Sequence, residues 1–170
     1  MFFFFIMIQA KDIRSNVLWI YLEDVSGWFS CYGESLIKTP NIDQLAKEGI
    51  RFDRFYTPAG VCSATRSAIV TGMMQTSIGA HNHRSCRANF RGKSMGEYDR
   101  NVLDILTIPE IFRKNGYWTA NHSKDDYNFD WDSGKLYDYG KQSRLNPDAF
   151  TTGKMLEGRG EKPFFVQIQL

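Results

Sequence analysis

Along the chain, short apolar runs alternate with polar stretches punctuated by glycine and proline, a pattern that predicts strands interleaved with short helices. Asn16-Val17-Leu18-Trp19-Ile20-Tyr21-Leu22 is a continuous apolar run of strand length, as expected of a strand covered on both faces of an α/β sheet. A helix is predicted next, with Thr39 as N-cap, Pro40 at its first position, Ile42, Leu45 and Ala46 on one face, and Gly49 as its stop. Alternation of Ile50, Phe52 and Phe55 predicts a strand over 50–56 that delivers the chain to the turn Thr57-Pro58-Ala59-Gly60. Helical spacing resumes at Cys62 and ends at Gly72, with Ala68, Ile69 and Met73 as the buried side. Thr107 caps a further helix through Ile108, Ile111 and Phe112, which Asn115-Gly116 stops. A strand over 117–121 follows almost at once, as an alternating α/β layer requires. The stretch 127–160 is loop-dominated, with room for a short helix from Pro147 to Leu156, and 163–170 is another strand. No internal repeat or linker interrupts this order.

With 170 residues, 42% hydrophobic and 24% charged, the chain is ordinary globular material with enough length for one core. A net charge of +2 gives no electrostatic case for nucleic acid or an anionic membrane surface, so any preference for anions must be local. The three cysteines, Cys31, Cys62 and Cys86, lack metal-ligand spacing and cannot all pair, so neither a zinc site nor a full disulfide framework is indicated. Met1-Phe2-Phe3-Phe4-Phe5-Ile6-Met7-Ile8 is apolar but too short to span a membrane, and it lacks the basic start of a signal peptide.

The candidate chemistry centres on Cys62-Ser63-Ala64-Thr65-Arg66. A loop entering a helix there offers free backbone N–H groups and the positive end of the helix dipole to an anion, and Arg66 adds a planar fork of donors one turn on. A thiol at that position is acidified, although a buried structural cysteine fits the bare pattern too. Glu23-Asp24 closes the first strand where open α/β sheets bind ligands, and supplies hard oxygen donors suited to calcium or magnesium; a solvated turn is the alternative. Lys124 follows the 117–121 strand as a compact cation that can approach an anion, or is simply exposed. His81 and His83 lack a nearby third metal ligand, which leaves His83 and Arg84 as pocket-lining groups or parts of a polar loop. Arg87, Arg91, Lys93 and Arg100 read as a solvated surface. Trp131, Tyr137 and Tyr139 either stack on a sugar ring or pack locally.

Cys62, Ala64, Arg66, Thr71 and Gly72 fill the pattern C/S-x-P/A-x-R followed by Thr-Gly, Glu23-Asp24 lies upstream and Ser123-Lys124 downstream. In these motifs, and over residues 16–170, the chain resembles the sulfatase family of the alkaline-phosphatase-like superfamily; Cys31-Tyr32-Gly33 matches a further family pattern without assigned chemistry. The resemblance implies an α/β fold with a mixed, mostly parallel sheet flanked by helices. It implies that 16–170 is the amino-terminal part of a longer catalytic domain, and that 1–15 is the remnant of an export signal with Ala10 near the cleavage point; a non-native start or a buried edge strand, with a cytoplasmic protein, is the alternative for 1–15. The activity implied is sulfuric ester hydrolysis, on a sulfated small molecule or sulfated glycan, by an exported protein without a stable membrane span. A formylglycine-generating enzyme would oxidise Cys62 to formylglycine, an aldehyde whose hydrate attacks sulfur. One divalent metal, commonly calcium, would be held by Glu23, Asp24 and the modified Cys62, while Arg66 and Lys124 would hold the nucleophile and the sulfate. A histidine, a second acidic metal pair and a second lysine belong to later segments of the family. Two departures stand out: Glu23 where many members have Asp, and Asp126 where many have a histidine two places after the lysine. Two other readings stay open. One is a non-catalytic fragment or binding module of the same fold; the other is a phosphoester hydrolase of the superfamily, although those typically use Ser or Thr and have no reason for C-x-A-x-R.

Overall fold

The structure, a computed structural model, describes residues 14–83, 105–129, 131–140, 147–149 and 151–170. The expected export-signal remnant before residue 14, Cys86, and the basic stretch from Arg84 to Arg100 lie outside them. The described residues divide into two compact units, one of 14–20, 105–125 and 131–169, the other of 21–83, 126–129 and 170.

The first unit is built on a three-stranded sheet in the order β1-β3-β2, with β1 Val17–Tyr21, β2 Trp118–His122 and β3 Phe164–Gln169. β2 and β3 run parallel, with Ala120 opposite Val166. β3 is central and buried from Phe165 onward, as its apolar run demands. Its buried glutamines are paired: Gln169 Nε2 donates to Asn121 Oδ1 at 3.1 Å and Gln167 Nε2 to the Tyr137 hydroxyl at 3.4 Å. The helix Ile108–Lys114, α3, begins with the Thr107 capping box, in which the Thr107 side chain accepts from Glu110 N–H and the Glu110 carboxylate accepts from Thr107 N–H. Phe112 on α3 stacks on Phe165 with ring centroids 4.5 Å apart, and Trp19 of β1 meets the same ring edge-on at 6.1 Å. The outer edge of β2 is covered by 137–139, where Tyr139 N–H donates to Thr119 O and Asn121 N–H to Tyr139 O.

Three expectations change in this unit. β1 has one covered face: Leu18 and Ile20 are about half exposed, at 52% and 50%. The helix expected within 147–156 resolves into two single 3-10 turns, Pro147–Ala149 and Lys154–Leu156, because Gly153 between them is left-handed (φ 73°). A short helix not foreseen, α4 (Ser133–Leu136), starts where Asp132 accepts from Gly134 N–H at 2.9 Å.

In the second unit α1 (Pro40–Glu48) begins with Pro40, but Thr39 caps it indirectly. The Thr39 hydroxyl donates to Asp43 Oδ1 and accepts from Ser30 N–H, and the Ser30 hydroxyl donates to Asp43 Oδ2. These bonds tie the 3-10 turn Ser30–Tyr32 to the helix start. No residue of α1 is buried, and Leu45 is exposed. The strand expected over 50–56 does not form; Ile50, Phe52 and Phe55 are 83%, 60% and 80% exposed. Alternation alone stabilises no strand that lacks a pairing edge and a face to cover.

The helix Cys62–Thr71, α2, starts and stops where the sequence places it, with Gly72 in the left-handed conformation (φ 66°) that closes a helix. Its buried side differs: Ser63, Ala64, Ser67, Ala68, Val70 and Thr71 are inside, Ile69 is half-buried, and Met73 is 41% exposed. Small residues let a helix sit close to its neighbours, and the buried hydroxyls fold back onto the helix, Ser67 to Ser63 O at 2.7 Å and Thr71 to Ser67 O at 2.6 Å. Among the described residues no helix is long and apolar enough to cross a membrane.

Phe165 is 1% exposed and touches both layers of the first unit. Phe165→Ala should cost about 3–5 kcal/mol of unfolding free energy, read from denaturant midpoints followed by tryptophan fluorescence. A loss under about 1 kcal/mol would contradict its central place.

Candidate active site

The loop before α2 is stitched to it by side chains. Thr65 Oγ1 donates to Ala59 O at 2.6 Å, and Gln75 Nε2 to Pro58 O at 2.9 Å. Val61 is extended (φ −134°) and its carbonyl accepts from Thr65 N–H, so Cys62 is the first helical residue. Its half-buried thiol lies 3.5 Å from Asp126 Oδ2 and 3.8 Å from His83 Nε2.

One turn along α2, the Arg66 side chain keeps only 10% of its exposure and faces Glu23, with Nη2 3.7 Å from Oε2. Glu23 is held by its backbone: its N–H donates to Leu170 O, while Leu170 N–H donates to Tyr21 O. Those two bonds, from one residue to partners two apart, continue a parallel ladder past the end of β1. The guanidinium carbon of Arg66 stands 5.9 Å from the Tyr21 ring centroid. Burial pushes the Tyr21 hydroxyl far above the ordinary phenol range, neighbouring Tyr127 pushes it further, and Arg66 opposes both. Tyr21 is therefore a neutral wall beside the guanidinium.

Among the described non-glycine residues, Asp24 (φ 55°) and Ser123 (φ 74°) have positive φ. Each lies just past the carboxyl end of a strand, a placement in which a rarely populated backbone turns the chain sharply.

The structure therefore brings Glu23 and Arg66 together, and Cys62 with Asp126 and His83. Asp24 is exposed next to Glu23. Lys124 belongs to the first unit, half-buried beyond the end of β2, where its carbonyl accepts from Asn121 Nδ2 at 3.4 Å. Among the described residues no group of three or more His, Cys, Asp and Glu side chains is placed to hold a metal ion. The donors at the end of β1 are hard carboxylate oxygens, right in kind for calcium or magnesium. They are too few, because a calcium shell takes about six to eight oxygens. Sequence reasoning noticed Asp126 only as a departure from a family pattern and gave no hint of Tyr21. Neither carries a local signal, since both act through chain segments that meet in space.

A sequence model described as Sulfatase matches residues 15–168. The "Ulvan-active sulfatase" of Formosa agariphila is 35% identical over 130 residues, covering 73% of this chain and 22% of that protein. The "N-acetylglucosamine-6-O-sulfatase" of Bacteroides thetaiotaomicron is 29% identical over 158 residues, 89% of this chain and 26% of that protein. The chain thus spans about a quarter of the length of these relatives. A solved structure described as in complex with its substrate D-glucosamine-2-N,6-O-disulfate superposes with a TM-score of 0.64 at 23% identity, over 92% of this chain and 34% of that one. At that identity the likeness speaks for the fold, and it agrees with a parallel-stranded α/β sheet flanked by helices.

The raised Tyr21 affinity for its proton has a sign that can be checked. The unfolded chain releases this proton near pH 10 and the folded chain holds it, so stability is intact below about pH 10 and declines as pH rises above it. Tyr21→Phe should flatten that decline between pH 9 and 11.5 in urea titrations of both proteins. Parallel decline in the two would show that Tyr21 is not insulated.

Proposed function

Because the chain belongs to the sulfatase family, we propose that it carries the nucleophile-bearing part of a sulfuric ester hydrolase. The observation that carries this reading is the arrangement on α2: Cys62 at the first helical position, and Arg66 one turn on against Glu23 at 3.7 Å. A sulfate ester is already an anion, and attack on it builds charge on its outer oxygens. Backbone N–H groups at the α2 start and the Arg66 guanidinium are fixed donors for that charge. Cys62 is the residue we assign to formylglycine, which supplies a hydroxyl nucleophile in place of a thiol. A formylglycine-generating enzyme is the maturation partner this requires. Glu23 and Asp24 would hold part of the shell of one divalent cation, calcium by preference, whose chemistry is to lower the charge at the reacting sulfate. Residue 62 would complete that side of the shell. We assign Lys124 a sulfate-binding role on its match to the family motif. After the sugar and polysaccharide names of both relatives above we put a sulfated glycan first as substrate, with a sulfated small molecule as the alternative because human arylsulfatases A and D are 31% and 32% identical to this chain; either substrate suits an exported protein.

Two experiments test this reading. Co-expression of the full-length protein with a formylglycine-generating enzyme should convert Cys62 and leave Cys31 and Cys86 as thiols, as read by peptide mass spectrometry. Cys62→Ala should then abolish sulfate release, and Arg66→Lys should lower kcat/KM about 100-fold or more, because one ammonium cannot reproduce a planar fork. Sulfate release by Cys62→Ala at the parental rate would end the proposal, and cleavage of phosphate esters alone would move it to a phosphohydrolase. Calorimetric titration of the 170-residue chain with calcium should find a dissociation constant of about 1 mM or weaker. Tight binding by this chain alone would contradict the sharing of the shell with further segments.

A further inference from the structure

The groups around Cys62 come from three stretches: α2, the loop 80–83, and the segment 126–129. Neither the loop nor the segment contains a helix or strand, so no ladder of backbone bonds fixes them. One residue joins all three, through its backbone to α2 and through its side chain to the loop. Asn128 is 7% exposed, and its backbone N–H donates to Ser67 Oγ on α2 at 2.8 Å. Its side-chain Nδ2 donates to Ala80 O at 3.1 Å and also to Asn82 O, the residue before His83. The opposite amide orientation would turn an oxygen toward two carbonyl oxygens, so these donors fix which way the group faces. Ser67 passes the restraint on, since its hydroxyl donates to Ser63 O beside Cys62. Tyr127 and Phe129, on either side of Asn128, stack on each other at 5.4 Å and 2°, which stiffens the segment that carries Asp126.

Resting on the sulfatase reading above, we infer that Asn128 is a positioning residue: its three hydrogen bonds set Asp126 and His83 beside residue 62. A polar amide is a costly choice for a buried site unless its hydrogen bonds are needed, because burial strips it of water. What these bonds determine is where two functional groups stand. A displacement of about 1 Å at a reacting centre can lower a rate about 100-fold, so loss of the clamp should appear in turnover more than in binding.

The test uses the full-length protein matured with the formylglycine-generating enzyme and assayed for sulfate release well below its melting temperature. Asn128→Ala should lower kcat about 30–100-fold while KM changes less than about threefold. The control is Val70→Ala, a truncation at a 2% exposed position of the same helix, which should lose comparable Tm and keep its kcat. In a His83→Ala/Asp126→Ala background, Asn128→Ala should cost less than about twofold more, because the groups it places are gone. If Asn128→Ala does not fold, Ser67→Ala takes its place, keeping the side-chain clamp and losing the acceptor for Asn128 N–H; a drop of about 3–10-fold in kcat is expected. Equal losses for Asn128→Ala and Val70→Ala, or a full multiplicative loss in the double-variant background, would overturn the inference. A parallel measurement separates this from the functional reading. In unmatured protein, the iodoacetamide reaction rate of Cys62 should change at least threefold in Asn128→Ala and stay constant in Val70→Ala. A parent that matures without releasing sulfate refutes the sulfatase reading, and the alkylation rates still decide the placement: an unchanged rate in Asn128→Ala refutes it.

Discussion

A guanidinium with little exposure must stand against negative charge, and Arg66 is where the second unit meets that demand. Its side chain is 10% exposed, and Glu23 lies 3.7 Å away, close enough for strong attraction and too far for a well-formed hydrogen bond. Within the second unit the pair ties Glu23 to the second turn of α2. Tyr21, kept neutral by its burial, adds a low-polarity wall that strengthens the field between them. A sulfate entering here would meet a cation already aimed by its environment. Glu23 has a double claim on it, as the partner of Arg66 and as the proposed metal ligand, so a bound cation and Arg66 would share one carboxylate.

The helix start imposes the second constraint. Cys62 can be the first residue of α2 only if the chain before it is extended and the loop is pinned, and Thr65, Gln75 and Val61 each contribute a bond to that end. Behind it the helix presents Ser63, Ala64, Ser67 and Ala68, small side chains that allow close packing and leave the longer Arg66 to face the site. Ser67 on this face donates to Ser63 O and accepts from Asn128 N–H, so the close approach leaves its hydroxyl both donating and accepting.

What was legible in the sequence follows from which interactions are local. Thr107 with Glu110, Thr39 before Pro40, Gly72 after Thr71 and the run 16–22 each specify an element through neighbours in the chain, and each element forms within a residue or two of its expected bounds. Residues 50–56 show the opposite case. Their alternation is real, but a strand exists only through a partner, and periodicity names no partner. The same distinction divides the site. Cys62 and Arg66 are one turn apart on a helix and could be read directly. Asp126 and His83 reach the thiol from 64 and 21 residues away along the chain, through an amide whose role no spacing reveals.

The polar and apolar parts of this structure differ in how completely they are matched. Around α2 directional polar contacts dominate: Ser67, Thr71, Gln75 and Asn128 each donate to a backbone carbonyl of the second unit, while Oδ1 of Asn128 and Oε1 of Gln75 are buried without a partner among the described residues. Apolar side chains of the same unit, among them Ile50, Phe52, Phe55 and Tyr56, keep 60–83% of their exposure, and Leu18 and Ile20 of β1 keep about half. Exposed apolar surface on that scale marks faces suited to contact with other protein, and the chain spans about a quarter of the length of the relatives compared with it. Hydrogen bonds and ion pairs are short-ranged and directional, so they can hold the loop before Cys62 in its shape with few neighbours. Burial of large apolar groups is collective and needs area. The loop and helix start around Cys62, which we propose as the nucleophile's place, can thus be shaped by polar contacts before the apolar faces around them are closed.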